Sequence, residues 1–177
     1  MTADAIDRAD TVDGIVRAWR RERPDLDVAP LEVLSRVTRL ARHLDLARRE
    51  AFARHGLEAG EFDVLAALRR SGAPYEMSPG QLGAQTLVTS GTTTNRIDRL
   101  ESAGLVERLP DASDRRSIRV RLTAAGRERV DAALTDLLDR ERHLLAALPA
   151  ADRHHLATLL KSLVMPFDVD EGDVVTR

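Results

Sequence analysis

The chain has 177 residues, a formal net charge of -2, 43% hydrophobic and 32% charged residues, and no cysteine. That is enough apolar material for a buried core, and the lack of cysteine excludes disulfides, thiol redox sensing and Cys-ligated zinc. A slightly acidic chain is a poor indiscriminate nucleic-acid binder, so any such role must sit on one locally basic face.

Near the N-terminus Val12, Ile15, Val16 and Trp19 fall at helical spacing after Thr11 as N-cap, and the helix should end near Arg23-Pro24. Pro30 opens a longer pattern through Leu31, Leu34, Val37, Leu40, Ala41, Leu44 and Ala51-Phe52, closed by Gly56. A third helix is expected from about Gly60 to Arg70 with Phe62, Leu65 and Leu68 inward and Ser71-Gly72 as its stop. Ser78-Pro79-Gly80-Gln81 is a capping-box pattern with proline at the first helical position, so a short helix begins there and buries Leu82 and Leu87.

The next helix, capped at Thr89-Ser90-Gly91-Thr92, carries Ile97, Leu100 and Leu105 on one side and Thr92, Thr93, Asn95, Arg96 and Arg99 on the other. Two short helices joined by a tight turn, the second rich in hydroxyl, amide and guanidinium groups, describe a helix-turn-helix. Ser90, Thr92, Thr93, Asn95, Arg96 and Arg99 are therefore the residues expected to meet a major groove, where Asn pairs with adenine and Arg with guanine.

Two alternating runs follow, Leu105 to Leu109 and Ser117 to Leu122, around a polar tip with Asp114, Arg115 and Arg116. This is a hairpin wing presenting charge. Arg116 is expected in the minor groove with Asp114 holding it and Arg115 nearer phosphate. From Ser90 to Arg121 seven arginines (96, 99, 108, 115, 116, 119, 121) face five acids (98, 101, 107, 111, 114), a local excess of positive charge in a negative chain.

Thr123 caps a long helix striped by Val130, Ala133, Leu134, Leu137, Leu138, Leu144, Leu145 and Leu148 and broken at Pro149. Leu156, Leu159, Leu160 and Leu163 stripe a last helix expected to stop before Pro166, and the tail from Asp168 to Arg177 is acidic. The terminal helices carry more leucine than a small winged domain needs, which points to burial against a second copy. The expected fold is mainly α with a small β-hairpin wing: a winged helix-turn-helix with N- and C-terminal dimerisation helices. Its expected parts are N-terminal helices over 1–56, the DNA-binding domain over 57–122, C-terminal dimerisation helices over 123–165 and the acidic tail over 166–177.

No stretch has the apolar length of a membrane span, and Met1-Thr2-Ala3-Asp4 lacks the regions of a secretory signal, so a cytoplasmic protein is expected. There is no phosphate-cradling glycine loop and no nucleophile elbow, hence no visible seat for catalysis. Of histidines 43, 55, 143, 154 and 155, the adjacent His154 and His155 diverge by about 100° on a helix, so no metal site and no cofactor are expected.

The order of these elements, with Thr94-Asn95-Arg96-Ile97-Asp98-Arg99-Leu100-Glu101, Gly104-Leu105-Val106-Glu107-Arg108, Asp114-Arg115-Arg116 and Leu122-Thr123-Ala124-Ala125-Gly126, resembles the MarR family of winged-helix transcriptional regulators from about Val28 to Val164. The resemblance implies a homodimer that binds a palindromic operator and releases it to a small, often anionic or aromatic, ligand. The added first helix with Trp19-Arg20-Arg21-Glu22-Arg23-Pro24-Asp25-Leu26-Asp27, together with Gly60-Glu61-Phe62-Asp63-Val64-Leu65, looks like the urate-responsive, PecS-type branch. That branch implies a ligand site at Trp19, Asp63, Arg96 and Arg108, with urate, a related purine or a carboxylate as the anion. It also suggests an Asp63–Arg108 ion pair that an anionic ligand would break. The alternative reading is a ligand-independent winged helix, either an architectural DNA binder or a protein-interaction module.

Overall fold

The computed structural model describes residues 9–111 and 117–171, with side chains to Phe167. Helices α1 (Thr11–Glu22), α2 (Ala29–Ala53) and α3 (Ala59–Arg70) precede a short strand β1 (Glu76–Met77). Then come α4 (Pro79–Thr86), α5 (Ser90–Ser102), strands β2 (Val106–Pro110) and β3 (Ile118–Leu122), and helices α6 (Ala124–Leu145) and α7 (Ala150–Glu171).

Local chemistry sets most of these boundaries. The Ser78 hydroxyl accepts from the Gln81 N–H at 3.2 Å while the Gln81 side chain accepts from the Ser78 N–H at 2.9 Å, so both ends of the capping box are made. Thr89 and Thr123 cap α5 and α6 as expected. The cap of α1 is Asp10 and not Thr11. The Asp10 carboxylate accepts from the Asp13 N–H and the Asp13 carboxylate from the Asp10 N–H, a reciprocal pair that Thr11 has no partner to make.

The sheet is antiparallel with order β1-β3-β2, so the hairpin gains a third strand through Met77↔Val120 and Glu76↔Arg121. A core of Phe52, Phe62, Val64, Leu65, Leu68, Leu82, Ile97, Leu100, Val106, Val120 and Val130 joins α2 to α6 with the sheet. Leu87, expected inside, is 71% exposed: it ends α4 in the left-handed region at φ 53°, which turns its side chain out of the helix stripe. Phe52 and Phe62 stack with centroids 4.0 Å apart. At the other end α1 docks on α2 through Val12, Val16, Val28 and Leu31, flanked by ion pairs of Arg36 with Asp10 and Asp13 and of Arg20 with Glu32.

Helix α7 does not stop before Pro166 but runs on to Glu171. Proline fits helical φ and here removes only the bond to the Ser162 carbonyl; Ser162 is exposed, so water can take that acceptor. Leu159, Leu163, Val164, Met165 and Phe167 on α7, Leu34, Leu40 and Leu46 on α2, and Leu134, Leu138, Leu144 and Leu145 on α6 are all uncovered within the single chain. No described helix is long and apolar enough to cross a membrane.

Candidate DNA-binding face and ligand-site residues

Between α4 and α5 the chain passes through Leu87 and restarts at Thr89, whose hydroxyl accepts from the Thr92 N–H at 3.4 Å. The two helices meet where Thr93 packs on Gly83: a Cβ at Gly83 would lie 3.2 Å from the Thr93 Oγ1. Thr93 is 1% exposed and donates its hydroxyl to the Thr89 carbonyl at 3.1 Å. It is therefore a packing residue of the helix pair, not one of the groups offered to DNA. The clue was in the spacing, since Thr93, Ile97 and Leu100 stand at i, i+4 and i+7.

What the first two turns of α5 expose is Ser90, Thr92, Thr94 and Asn95. Thr94 was not among the expected contacts, yet it is exposed on the same surface, with its hydroxyl donating to the Ser90 carbonyl at 3.0 Å. Short hydroxyl and amide side chains at the N-terminal end of a helix suit entry into a groove, and the backbone N–H groups there favour phosphate.

The arginines of this region divide by partner. Arg99 lies against the first turn of α3, with Nη1 2.9 Å from Glu58 Oε1, Nη2 2.8 Å from Glu58 Oε2 and Nε 3.3 Å from Glu61. Arg121 bridges strands, bonding Glu107 at 2.8 Å and Glu76 at 3.4 Å, and Arg119 lies 3.9 Å from Asp111. Asp114, Arg115 and Arg116, the expected minor-groove probe, lie outside the described residues. The hairpin below them is formed, in the register Arg108↔Val120, Leu109↔Arg119 and Pro110↔Ile118. Most of the local positive excess is thus neutralised by neighbouring carboxylates.

The four residues that resemblance put in one ligand site are not together in a single chain. Arg108 is 25% exposed and held by Asp98 and Glu101, both on α5, and not by Asp63. Burial works to lower its guanidinium, but the hydrogen bonds and charges of Asp98 and Glu101 outweigh burial and hold it above the usual value. Asp63 is 42% exposed and faces Arg48 of α2 at 3.4 Å. The reason is geometric: Asp98 and Glu101 share the side of α5 that the turn at Gly104 brings over β2, and they reach Arg108 first.

Trp19, 48% exposed, sits beside Arg20, whose partner Glu32 is sixteen residues before Arg48 on the continuous helix α2. At the α-helical rise that separates the two anchor points by about 24 Å. Arg96 does approach Asp63: its guanidinium lies on Gly60, one turn before Asp63 on α3. Its Nη1 is buried and has no hydrogen-bond partner. A cleft of about 680 Å³ along α2, lined by Arg39, Arg42, His43, Asp45, Leu46 and Arg49, is remote from this group and belongs to the uncovered face of the scaffold.

A family model described as "MarR family" matches residues 55–117. The chain is 40% identical over 149 residues to the HTH-type transcriptional regulator PecS of Dickeya dadantii (strain 3937), covering 84% of this chain and 90% of that protein. Among solved structures, a mutant of MarR from E. coli superposes with TM-score 0.66 at 28% identity over 78% of this chain and 99% of the other. The same mutant complexed with operator DNA superposes with TM-score 0.64 at 27% identity, again covering 78% and 99%. The capped helix pair, the three-stranded wing and these likenesses agree: the chain belongs to the MarR family of winged helix-turn-helix regulators of transcription, and not to an enzyme family.

Proposed function

We propose that the protein is a ligand-responsive repressor in the cytoplasm that binds a palindromic operator as a homodimer through α5 and the wing. A small anionic metabolite, urate or a related purine or a carboxylate, releases it. The observation that carries the DNA reading is the exposed polar start of α5, with Ser90, Thr92, Thr94 and Asn95 on a helix locked to α4 by Thr93 and Gly83. The wing tip, with Asp114, Arg115 and Arg116, supplies the minor-groove contact.

Dimerisation is supported by the uncovered leucines of α2, α6 and α7, a larger apolar surface than a monomer keeps in water. In this reading the segments 1–56 and 123–165 are scaffold and 57–122 is the lobe that meets DNA. The ligand reading is supported by the buried Arg96 Nη1, a donor lacking an acceptor beside the α3 face that carries Asp63. An anion accepted there competes with the Asp63 carboxylate and shifts α5 against α3. Trp19 joins this site only from the second copy, since α2 spaces it from Asp63 within one chain.

A mobility-shift titration with the DNA upstream of the coding sequence tests the reading. Specific binding survives competitor DNA, with half-sites about 10 bp apart. Urate, xanthine, hypoxanthine, aromatic acids and tricarboxylates are then added to the complex. Equal affinity for random duplex would favour the architectural alternative, and a ligand response unchanged in both Asp63→Asn and Arg96→Ala would refute the assigned ligand site.

A further inference from the structure

Gly60 stands in the first turn of α3, at a place where the helix would be better served by alanine. Its backbone is not left-handed, so conformation does not demand a glycine. What demands it is Arg96. A Cβ built on Gly60 would fall on the Arg96 Cζ and Nε and 2.5 Å from its Nη2, so any larger residue fills the space that the guanidinium occupies.

The second observation is independent of the first. Arg96 Nη1 is buried without a hydrogen-bond partner, and no carboxylate among the described residues pairs with the group. Neighbouring Arg99, on the same flank of α5, is by contrast fixed by Glu58 and Glu61. A cation held by shape alone, with a donor unsatisfied, gains by leaving for an acceptor. Thr92, Arg96 and Arg99 share one flank at i, i+4 and i+7, and the flank leads toward the exposed N-terminal end of α5.

We propose that Gly60 is a positioning residue for DNA recognition: its bare α-carbon berths the Arg96 guanidinium against α3, withholding it from DNA until it swings out to a backbone phosphate. The berth tunes affinity without touching a base. The inference rests on the DNA-binding reading above and adds a determinant that lies off the DNA face.

Gly60→Ala, Arg96→Ala and the double variant are compared with the parent for binding to operator and to random duplex across a salt series. Arg96 accessibility is read separately, without DNA, by phenylglyoxal labelling and peptide mass spectrometry. In Gly60→Ala the arginine is displaced and becomes reactive, binding to both duplexes tightens several-fold, and the slope of log K against log salt steepens by about 0.9, the signature of one added phosphate contact. In the Arg96→Ala background the Gly60 substitution changes neither affinity nor slope. Equal labelling in parent and Gly60→Ala, an unchanged slope, or the same tightening in the double variant would overturn the proposal. If the parent itself does not bind the operator, the DNA reading fails instead, and the labelling still decides whether the berth exists.

Discussion

Replacing Gly126 by alanine sets two effects of known size against each other. Gly126 is the third residue of α6, where alanine would gain at most about 1 kcal/mol in helix propensity. The added Cβ, however, lands on the Leu105 carbonyl oxygen, 3.0 Å from its carbon and 2.9 Å from Leu122 Cδ1. The Leu105 carbonyl cannot retreat freely, because it accepts from the Thr123 N–H and the Thr123 hydroxyl, both at 3.1 Å, while Thr123 Oγ1 caps Gly126 N at 3.0 Å. Overpacking typically costs about 1–3 kcal/mol, and a clash with backbone belongs at the upper end. The net loss is then about 2 kcal/mol, a fall in Tm of about 4–8 °C for a chain of this size. Urea and thermal unfolding of the two proteins measure it. Gly60→Ala is the internal control, since its clash is with the far end of a flexible side chain and its stability should hold or rise. A Gly126→Ala variant as stable as the parent would refute the reasoning that this glycine exists to let α6 close on the wing.

Asn95→Ala should leave stability within about 0.5 kcal/mol, because the residue is exposed, but should cost about 1–3 kcal/mol of base discrimination in operator binding. Thr93→Ala should do the reverse, lowering stability by about 1–2 kcal/mol in denaturant titrations, with any loss of DNA affinity tracking the unfolded fraction. Asp63→Asn should cost only about 0–1 kcal/mol, since its pair with Arg48 is 3.4 Å apart and both side chains are about two-fifths exposed. Arg108→Ala should cost more, about 1.5–3 kcal/mol, because it strands Asp98 and Glu101; unfolding curves that rank the two variants the other way would contradict the ion pairs described. Hydrogen bonding to the Arg36 guanidinium lowers Asp10 to about 2, so its support of the α1–α2 contact is complete above the ordinary value of 3.8 and is lost as pH falls through about 2. A carboxyl titration by NMR should show that midpoint, and Arg36→Ala should return it toward 3.8.

The helix starts were legible because a short polar residue before an apolar stripe has a local job, and Ser78, Thr89 and Thr123 all do it. Asp10 was missed by one position because Thr11 also has a capping hydroxyl, and only the reciprocal bond to Asp13 separates the two. Strand β1 spans two residues, too few for alternation to show, and it becomes a strand only because β3 offers it an edge. The charge partners were the least legible. Arg108 had three acids in reach of argument, and which one it takes depends on how a turn folds α5 over β2. Nor can sequence report that a guanidinium goes unpaired, as at Arg96.

These pairings give α3 a part that periodicity alone would not assign. Its first turn holds α5 through Glu58 and Glu61 on Arg99 and through Gly60 beneath Arg96. Its middle reaches α2 through Asp63 and Arg48, and the Phe62–Phe52 stack lies beside that pair. Its last turn is tied to α6 by Arg69, which bonds Asp131 at 2.9 and 3.2 Å and lies 5.2 Å over the Tyr75 ring. One twelve-residue helix thus joins the recognition helix to both scaffold helices. The links to α5 are exposed ion pairs and a berth with an unsatisfied donor, weak individually. Those to α2 and α6 add a ring stack and a bidentate arginine. Coupling of about 1–3 kcal/mol is typical for a ligand-switched protein, which matches the weak links and not the strong ones. The compliant joint is therefore between α3 and α5, and a ligand acts by changing how α5 rests on the first turn of α3, while α3 itself stays with the scaffold.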